Sequence, residues 1–164
     1  MASSLYFIVV LCGLWIAANA QCQDDCEPCK GCPSGWTKFE DKCYLFTNSP
    51  KTWTEAETTC LDQGANLASF RNEAIYNFIR QIVKTATNKD ERVWVGAHDT
   101  TNEGVWLWSD GSVFAFTGWG ANQPDNAGAK EHCMELNYNG ATNDVPCNLK
   151  RGFVCGMPEQ DVTS

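Results

Sequence analysis

Residues 117–132, TGWGANQPDNAGAKEH, carry neither a helical nor a strand-type apolar period. They are rich in Gly, Asn and Asp, residues that favour turns. A structured loop of this length inside a small domain is more often functional than a mere connection. Side-chain oxygens gather in it and just beyond it: Gln123, Asp125 and Glu131 within or at the end of the loop, Asn143 and Asp144 a short run later.

The flanks of this loop set the fold class. Upstream, residues 32–46, CPSGWTKFEDKCYLF, read as two short strands around a polar turn. Ser49-Pro50 is the signature of a helix start, a hydroxyl cap followed by Pro at the first helical position. Trp53, Ala56, Cys60 and Leu61 then share one face, and Gly64 ends the helix. A second helix is expected from about Asn72, with Ile75, Phe78, Ile79, Ile82 and Val83 as its core face, followed by a polar loop from Thr85 to Glu91. After that the period shortens. Val93-Trp94-Val95 and Val105-Trp106-Leu107-Trp108 have strand character, and Ser109-Asp110-Gly111 is a turn. Met134 to Tyr138 and Gly152 to Cys155 close the chain as strands. Two helices, several short strands and one long loop predict an α+β fold without internal repeats. Trp94, Trp106 and Trp108 are expected in the core and Trp119 as a support of the loop. His98 and His132 are expected to be solvated.

Length and charge narrow the function. A chain of 164 residues holds one domain with a sizeable core. Its formal charge of −8 disfavours nucleic acid and anionic membranes and suits a hard cation such as calcium. Residues 1–20 read as a signal peptide: an apolar run from Leu5 to Ala18 precedes the small-x-small tripeptide Ala18-Asn19-Ala20. That run is too short to span a bilayer, so secretion without membrane insertion is expected. Cys12 leaves with the leader, and nine of the ten cysteines remain. In an exported chain they imply disulfides. Residues 21–31, QCQDDCEPCKG, form a polar, Cys-rich tail, and Cys26-x-x-Cys29-x-x-Cys32 has zinc-like spacing that export argues against. No Asn-x-Ser/Thr sequon occurs, and no nucleophile–base motif marks an enzyme.

Over roughly residues 32–156 the sequence resembles the C-type lectin family, with tails at 21–31 and 157–164. Trp94-Val95-Gly96 is similar to the family's core strand motif, and Gln123-Pro124-Asp125 to its galactose-type sugar motif. Asn143-Asp144 is similar to the end of its Trp-Asn-Asp motif. Cys60, Cys133, Cys147 and Cys155 match its four framework cysteines, and Cys32 with Cys43 the extra pair of the long form. The short tail and the leader look most like fish mucus and serum lectins. The resemblance implies the pairs Cys60–Cys155, Cys133–Cys147 and Cys32–Cys43, a cis bond before Pro124, and one calcium ion held by Gln123, Asp125, Glu131, Asn143 and Asp144. Calcium takes six to eight oxygens, so these five side chains and a backbone carbonyl leave room for two sugar hydroxyls. The Gln–Asp order implies galactose- or lactose-type glycans rather than mannose.

Three departures from the family pattern stand out. Thr142 replaces the usual Trp, which removes packing under the loop. The stretch from Asn126 to Lys130 has no aromatic residue to stack on a sugar. Asp99 and Glu103 resemble ligands of an auxiliary calcium site whose other positions hold Asn126 and His132, so that site is expected to be weak or empty. Pairing six cysteines leaves Cys22, Cys26 and Cys29, an odd number that implies a disulfide-linked homodimer. Agglutination of cells or bacteria in host defence is the expected role. An ice-binding protein on the same fold and a protein-binding lectin-like domain are the alternatives.

Overall fold

The computed structural model describes residues 30–115 and 118–161. The expected leader and Cys12, Cys22, Cys26 and Cys29 lie outside them. In chain order the elements are β1 (Lys30–Gly31), β2 (Thr37–Phe39), β3 (Lys42–Lys51), α1 (Trp53–Leu61), β4 (Asn66–Leu67), α2 (Glu73–Thr87), β5 (Val93–His98), β6 (Leu107–Trp108), β7 (Cys133–Tyr138), β8 (Ala141–Val145), β9 (Arg151–Pro158) and β10 (Gln160–Asp161). The fold is α+β, as expected. No helix among the described residues is long and apolar enough to cross a membrane.

Helix α1 starts at Thr52, not at Ser49-Pro50. Ser49 and Pro50 belong to the end of β3. Thr52 forms a capping box: its Oγ1 accepts from the Glu55 amide at 3.3 Å, and its own amide donates to Glu55 Oε2 at 2.9 Å. Two reciprocal bonds satisfy more orphan donors than a Ser-Pro start can. Ala56 and Cys60 are buried as expected, but Leu61 stays 54% exposed because the helix ends there. In α2, Asn72 caps the Ile75 amide at 2.9 Å. Ile75, Ile79 and Val83 are fully buried, and Phe78 and Ile82 pack at the margin. Each such aliphatic contributes roughly 1.5–3 kcal/mol by leaving water. The helix runs to Thr87, into the expected loop, and closes on Asn88 in the left-handed region.

The larger sheet has the order β2-β3-β9-β5-β7-β8. β5 runs parallel to β9, and the other pairs are antiparallel. Trp94, on central β5, is fully buried and donates its indole N–H to the Lys51 carbonyl at 2.8 Å. Gly96 follows because a Cβ there would lie 2.6 Å from the Leu67 carbonyl oxygen and 2.7 Å from Ser109 Oγ. The motif Trp94-Val95-Gly96 thus marks where β5 crosses under β4. Only Leu107–Trp108 of the expected run 105–108 pairs as strand, against Ala97 and His98. Trp106 and Trp108 are buried, as the sequence predicts.

Three disulfides join Cys32–Cys43, Cys60–Cys155 and Cys133–Cys147, the pairs the family resemblance implies. The second ties α1 to β9 across 95 residues, a loop whose closure is worth roughly 4–5 kcal/mol in the chain-entropy account. The sheet structure continues past residues 32 and 156: β1 pairs with β10, setting Lys30 opposite Asp161.

One partly buried polar cluster links stability to pH. Asp110 Oδ2 accepts from Ser69 Oγ at 2.5 Å and from Lys42 Nζ at 3.0 Å, and its Oδ1 from the Ser112 amide at 3.0 Å. Burial alone would raise its pKa. The bonds from Ser112, Ser69 and Lys42 outweigh that and hold the carboxyl at about 2. A depressed carboxyl stabilises the fold above its unfolded value of 3.8, and the contribution fades as pH falls through about 2. Asp110→Asn is therefore expected to flatten the fall in stability between those two pH values, read from urea melts across a pH series.

Candidate functional site

The long loop is anchored to β8 by one carboxylate. Asp144 is fully buried. Its Oδ1 accepts from the Asp125 amide at 3.1 Å and its Oδ2 from the Asn126 amide at 2.7 Å. The loop also closes on itself. Asn126 Oδ1 accepts from the Glu131 amide at 3.0 Å, and Glu131 Oε2 from the Ala127 amide at 3.0 Å. Asn126 sits in the left-handed region, which Asn tolerates better than most residues. The Gln123–Pro124 bond is cis.

Thr142 takes the place the family gives to Trp, but the loop does not lack support there. Thr142 is fully buried, and its amide and carbonyl bond to Gly118 and Gly120 at 2.9 Å each, with Trp119 bridged between. Trp119 packs edge-on to Trp106 at 4.8 Å. A short strand-like pairing and an aromatic pair hold the base of the loop, and the Trp119 support expected from the sequence is present.

These bonds bring the carboxylates of Asp125, Glu131 and Asp144 together, one oxygen of each lying within 4.8 Å of the others. At that spacing each pair of charges repels by about 3 kcal/mol at an effective dielectric of about 20. The Glu131 pKa is raised, by burial first and then by the charges of Asp144 and Asp125, while the bond from Ala127 opposes the rise. The remaining two expected donors sit on the same two segments. Gln123 Oε1 and Asn143 Oδ1 are both buried without a hydrogen-bond partner. Buried acceptors of this kind are costly unless something donates to them or coordinates them. Three converging acids, with two orphaned amide oxygens on the same two segments, are all oxygen donors of the kind a hard cation such as calcium takes. A surface depression lined by Phe46, Pro50, Arg92 and Arg151, among others, contains none of these donors.

A second cluster differs from expectation. His132 is one-third exposed but not simply solvated: its Nδ1 lies 3.1 Å from Asp99 Oδ1 and 3.2 Å from Glu103 Oε2. Two acceptors facing one ring nitrogen require the proton on Nδ1. Asp99 is buried and also accepts the Gly104 amide at 2.7 Å. An imidazole thus fills the space between two acids that the resemblance assigns to an auxiliary cation. His98 is partly buried rather than free in solvent. It bonds Thr100 Oγ1 at 2.9 Å, meets the Trp53 ring edge-on at 5.2 Å, and its pKa is lowered by burial.

Sequence reasoning missed Glu135. On β7 it is fully buried, directly across from Asn143 on β8. Its Oε1 accepts from Asn143 Nδ2 at 3.3 Å and its Oε2 from Arg151 Nε at 2.9 Å, while Arg92 stands 3.6 Å away. The available signal was an acid inside the apolar run Cys133 to Leu136.

A sheet of this order, with a loop hung on a buried acid and three framework disulfides, defines a lectin-like domain. The C-type lectin domain family matches residues 49–157, and the chain belongs to that family. It is 39% identical to the galactose-specific lectin nattectin of Thalassophryne nattereri, over 94% of this chain and 98% of that one. It is 37% identical to the lactose-binding lectin l-2 of Anguilla japonica, over 77% of this chain and 79% of the other. Among solved structures it is similar to the C-type lectin CEL-I from Cucumaria echinata, with a TM-score of 0.74, 26% identity, and 80% and 99% coverage. It is also similar to herring type II antifreeze protein, with a TM-score of 0.73, 29% identity, and 79% and 100% coverage.

The Asp144 anchor has a direct readout. Asp144→Ala removes the acceptor of two loop amides, each charge-assisted bond being worth about 1.5–3 kcal/mol. In calcium-free buffer the Asp125 and Asn126 amide protons are expected to exchange with solvent at least about tenfold faster in this variant, measured by hydrogen exchange.

Proposed function

We propose that this chain is a secreted lectin that binds galactose- or lactose-type glycans through one calcium ion. The residues assigned to that ion are Gln123, Asp125, Glu131, Asn143 and Asp144. One observation carries the reading: Gln123 and Asn143 leave buried oxygens without partners on the two segments that carry three converging carboxylates. Bound there, calcium supplies a positive centre to which two vicinal sugar hydroxyls add as ligands. The protein's own part is to present acceptors and donors to those hydroxyls. Gln123 offers both and Asp125 only accepts, and this order, together with the galactose and lactose relatives, supports a galactose-type sugar. Asp99, Glu103 and His132 also lie close enough to hold a cation, but an imidazole nitrogen suits calcium less than an oxygen does, which supports a single effective calcium site.

The likeness to an antifreeze protein keeps a second reading in play, binding to ice. Thermal hysteresis of the purified protein separates the two: a lectin shows none, and lactose blocks its binding to glycans.

A glycan array run with calcium and with a chelator tests the main reading. Binding to lactose-type ends is expected, and is expected to vanish with the chelator. The double change Gln123→Glu with Asp125→Asn exchanges donor and acceptor and is expected to move the preference toward mannose-type sugars. Lactose preference unchanged in the double variant refutes this account of specificity.

We further assign agglutination to a disulfide-linked homodimer made through Cys22, Cys26 and Cys29. Six cysteines are paired within the domain, so three remain after removal of the leader, and an odd number cannot pair within one chain. Two linked sites raise avidity by roughly a hundredfold or more when both engage. Non-reducing electrophoresis is expected to show a dimer that collapses with reductant and is absent when all three cysteines are changed to Ser.

A further inference from the structure

Glu135 is an acid with no exposed surface in the middle of a sheet. Burying a carboxylate is costly unless it is paired and hydrogen-bonded. Arg151 meets that need at 2.9 Å on one oxygen. Its other oxygen is turned to the amide of Asn143, the cross-strand neighbour, at 3.3 Å. Arg92 stands 3.6 Å from that oxygen and lies over the Tyr138 ring at 4.8 Å, so the carboxylate is fixed from its outer side as well.

A carboxylate only accepts hydrogen bonds. The Asn143 group facing it must therefore be Nδ2, and the carbonyl oxygen must face the other way. That oxygen is the buried atom left without a partner. An amide with no such neighbour can turn over and present either end. The geometry points to Glu135 as a positioning residue of the calcium and sugar site: it sets which end of the Asn143 amide is offered to the cation. Arg151 and Arg92 hold Glu135, Glu135 holds Asn143, and the chain of contacts leads from the sheet interior to the donor set. Glu135 does not itself touch the ligand. The inference rests on the calcium reading above.

The test is calcium affinity of the whole secreted protein, by titration calorimetry, together with the melting temperature in chelator. Glu135→Gln puts an amide opposite an amide and removes the bias on Asn143. Calcium affinity is expected to fall about tenfold or more, as for other groups that orient metal ligands. The decisive arm is the Asn143→Asp background. A carboxylate at that position offers oxygen at either end, and the amide introduced by Glu135→Gln can donate to it. There the same Glu135→Gln replacement is expected to cost no affinity, because the polarity of the hydrogen bond is reversed and restored. A purely structural role for Glu135 predicts a lower melting temperature in both backgrounds with calcium affinity unchanged, and that result overturns the inference. An equal loss of affinity in both backgrounds overturns it too. Should Glu135→Gln fail to fold, Glu135→Asp keeps the charge beside Arg151 while drawing the oxygen back from Asn143, and the same loss is expected. A wild type that binds no calcium overturns the site itself and this inference with it. A wild type that binds, beside a Glu135→Gln variant within twofold of it, overturns the inference alone.

Discussion

The carboxylate of Asp144 is the constraint on which the loop depends. It lies fully buried on β8, and both oxygens are engaged by amides of the segment 19 and 18 residues earlier in the chain. Without it, the segment from Asp125 to Asn126 loses its direct bonds to β8, while the pairing of Gly118 and Gly120 with Thr142 still ties the base of the loop to the sheet. With it, Asp125 and Glu131 are brought near a third negative charge, which costs electrostatic energy. The backbone amides of Asp125, Asn126 and Ala127 offset part of that cost, and a cation would offset the rest. In the proposed calcium site, loop order and cation binding would be two aspects of one electrostatic balance.

The frame beneath the loop is built from ordinary packing. Helix α2 buries an aliphatic face, Trp94 fills the centre of β5, and disulfides clamp the places where strands meet α1 and the loop. Thr142 shows how such a frame absorbs a substitution. A smaller side chain than the family's Trp leaves the segment held by paired backbone at Gly118 and Gly120 and by Trp119 packed on Trp106.

Much of this was legible in the sequence, and the failures have physical causes. Periodicity located α2 and β5 because their buried faces are continuous. It misplaced the start of α1, since Ser49-Pro50 satisfies the local signature while the reciprocal Thr52–Glu55 box, three residues on, satisfies more donors. It overstated Leu61, whose position on the apolar face counts for little once the helix stops there. The oxygen-bearing residues proposed for the site are legible as residue types. Their electrostatic surroundings are not: the sequence predicts a solvated His132 because nothing local shows Asp99 and Glu103 lying against it. Glu135 escapes a local reading because its partners, Asn143, Arg151 and Arg92, reach it only once the sheet has formed.

The small ladder between β1 and β10 sets Lys30 opposite Asp161. The polypeptide thus enters and leaves the domain at one point, as a bead hangs from a single stem. Whatever precedes residue 30 or follows residue 161 can lengthen, shorten or be exchanged without pulling the two ends of the core apart. A domain wired in this way is portable. It can be joined to other segments at either end, and its sheet order, disulfides and loop are indifferent to the choice.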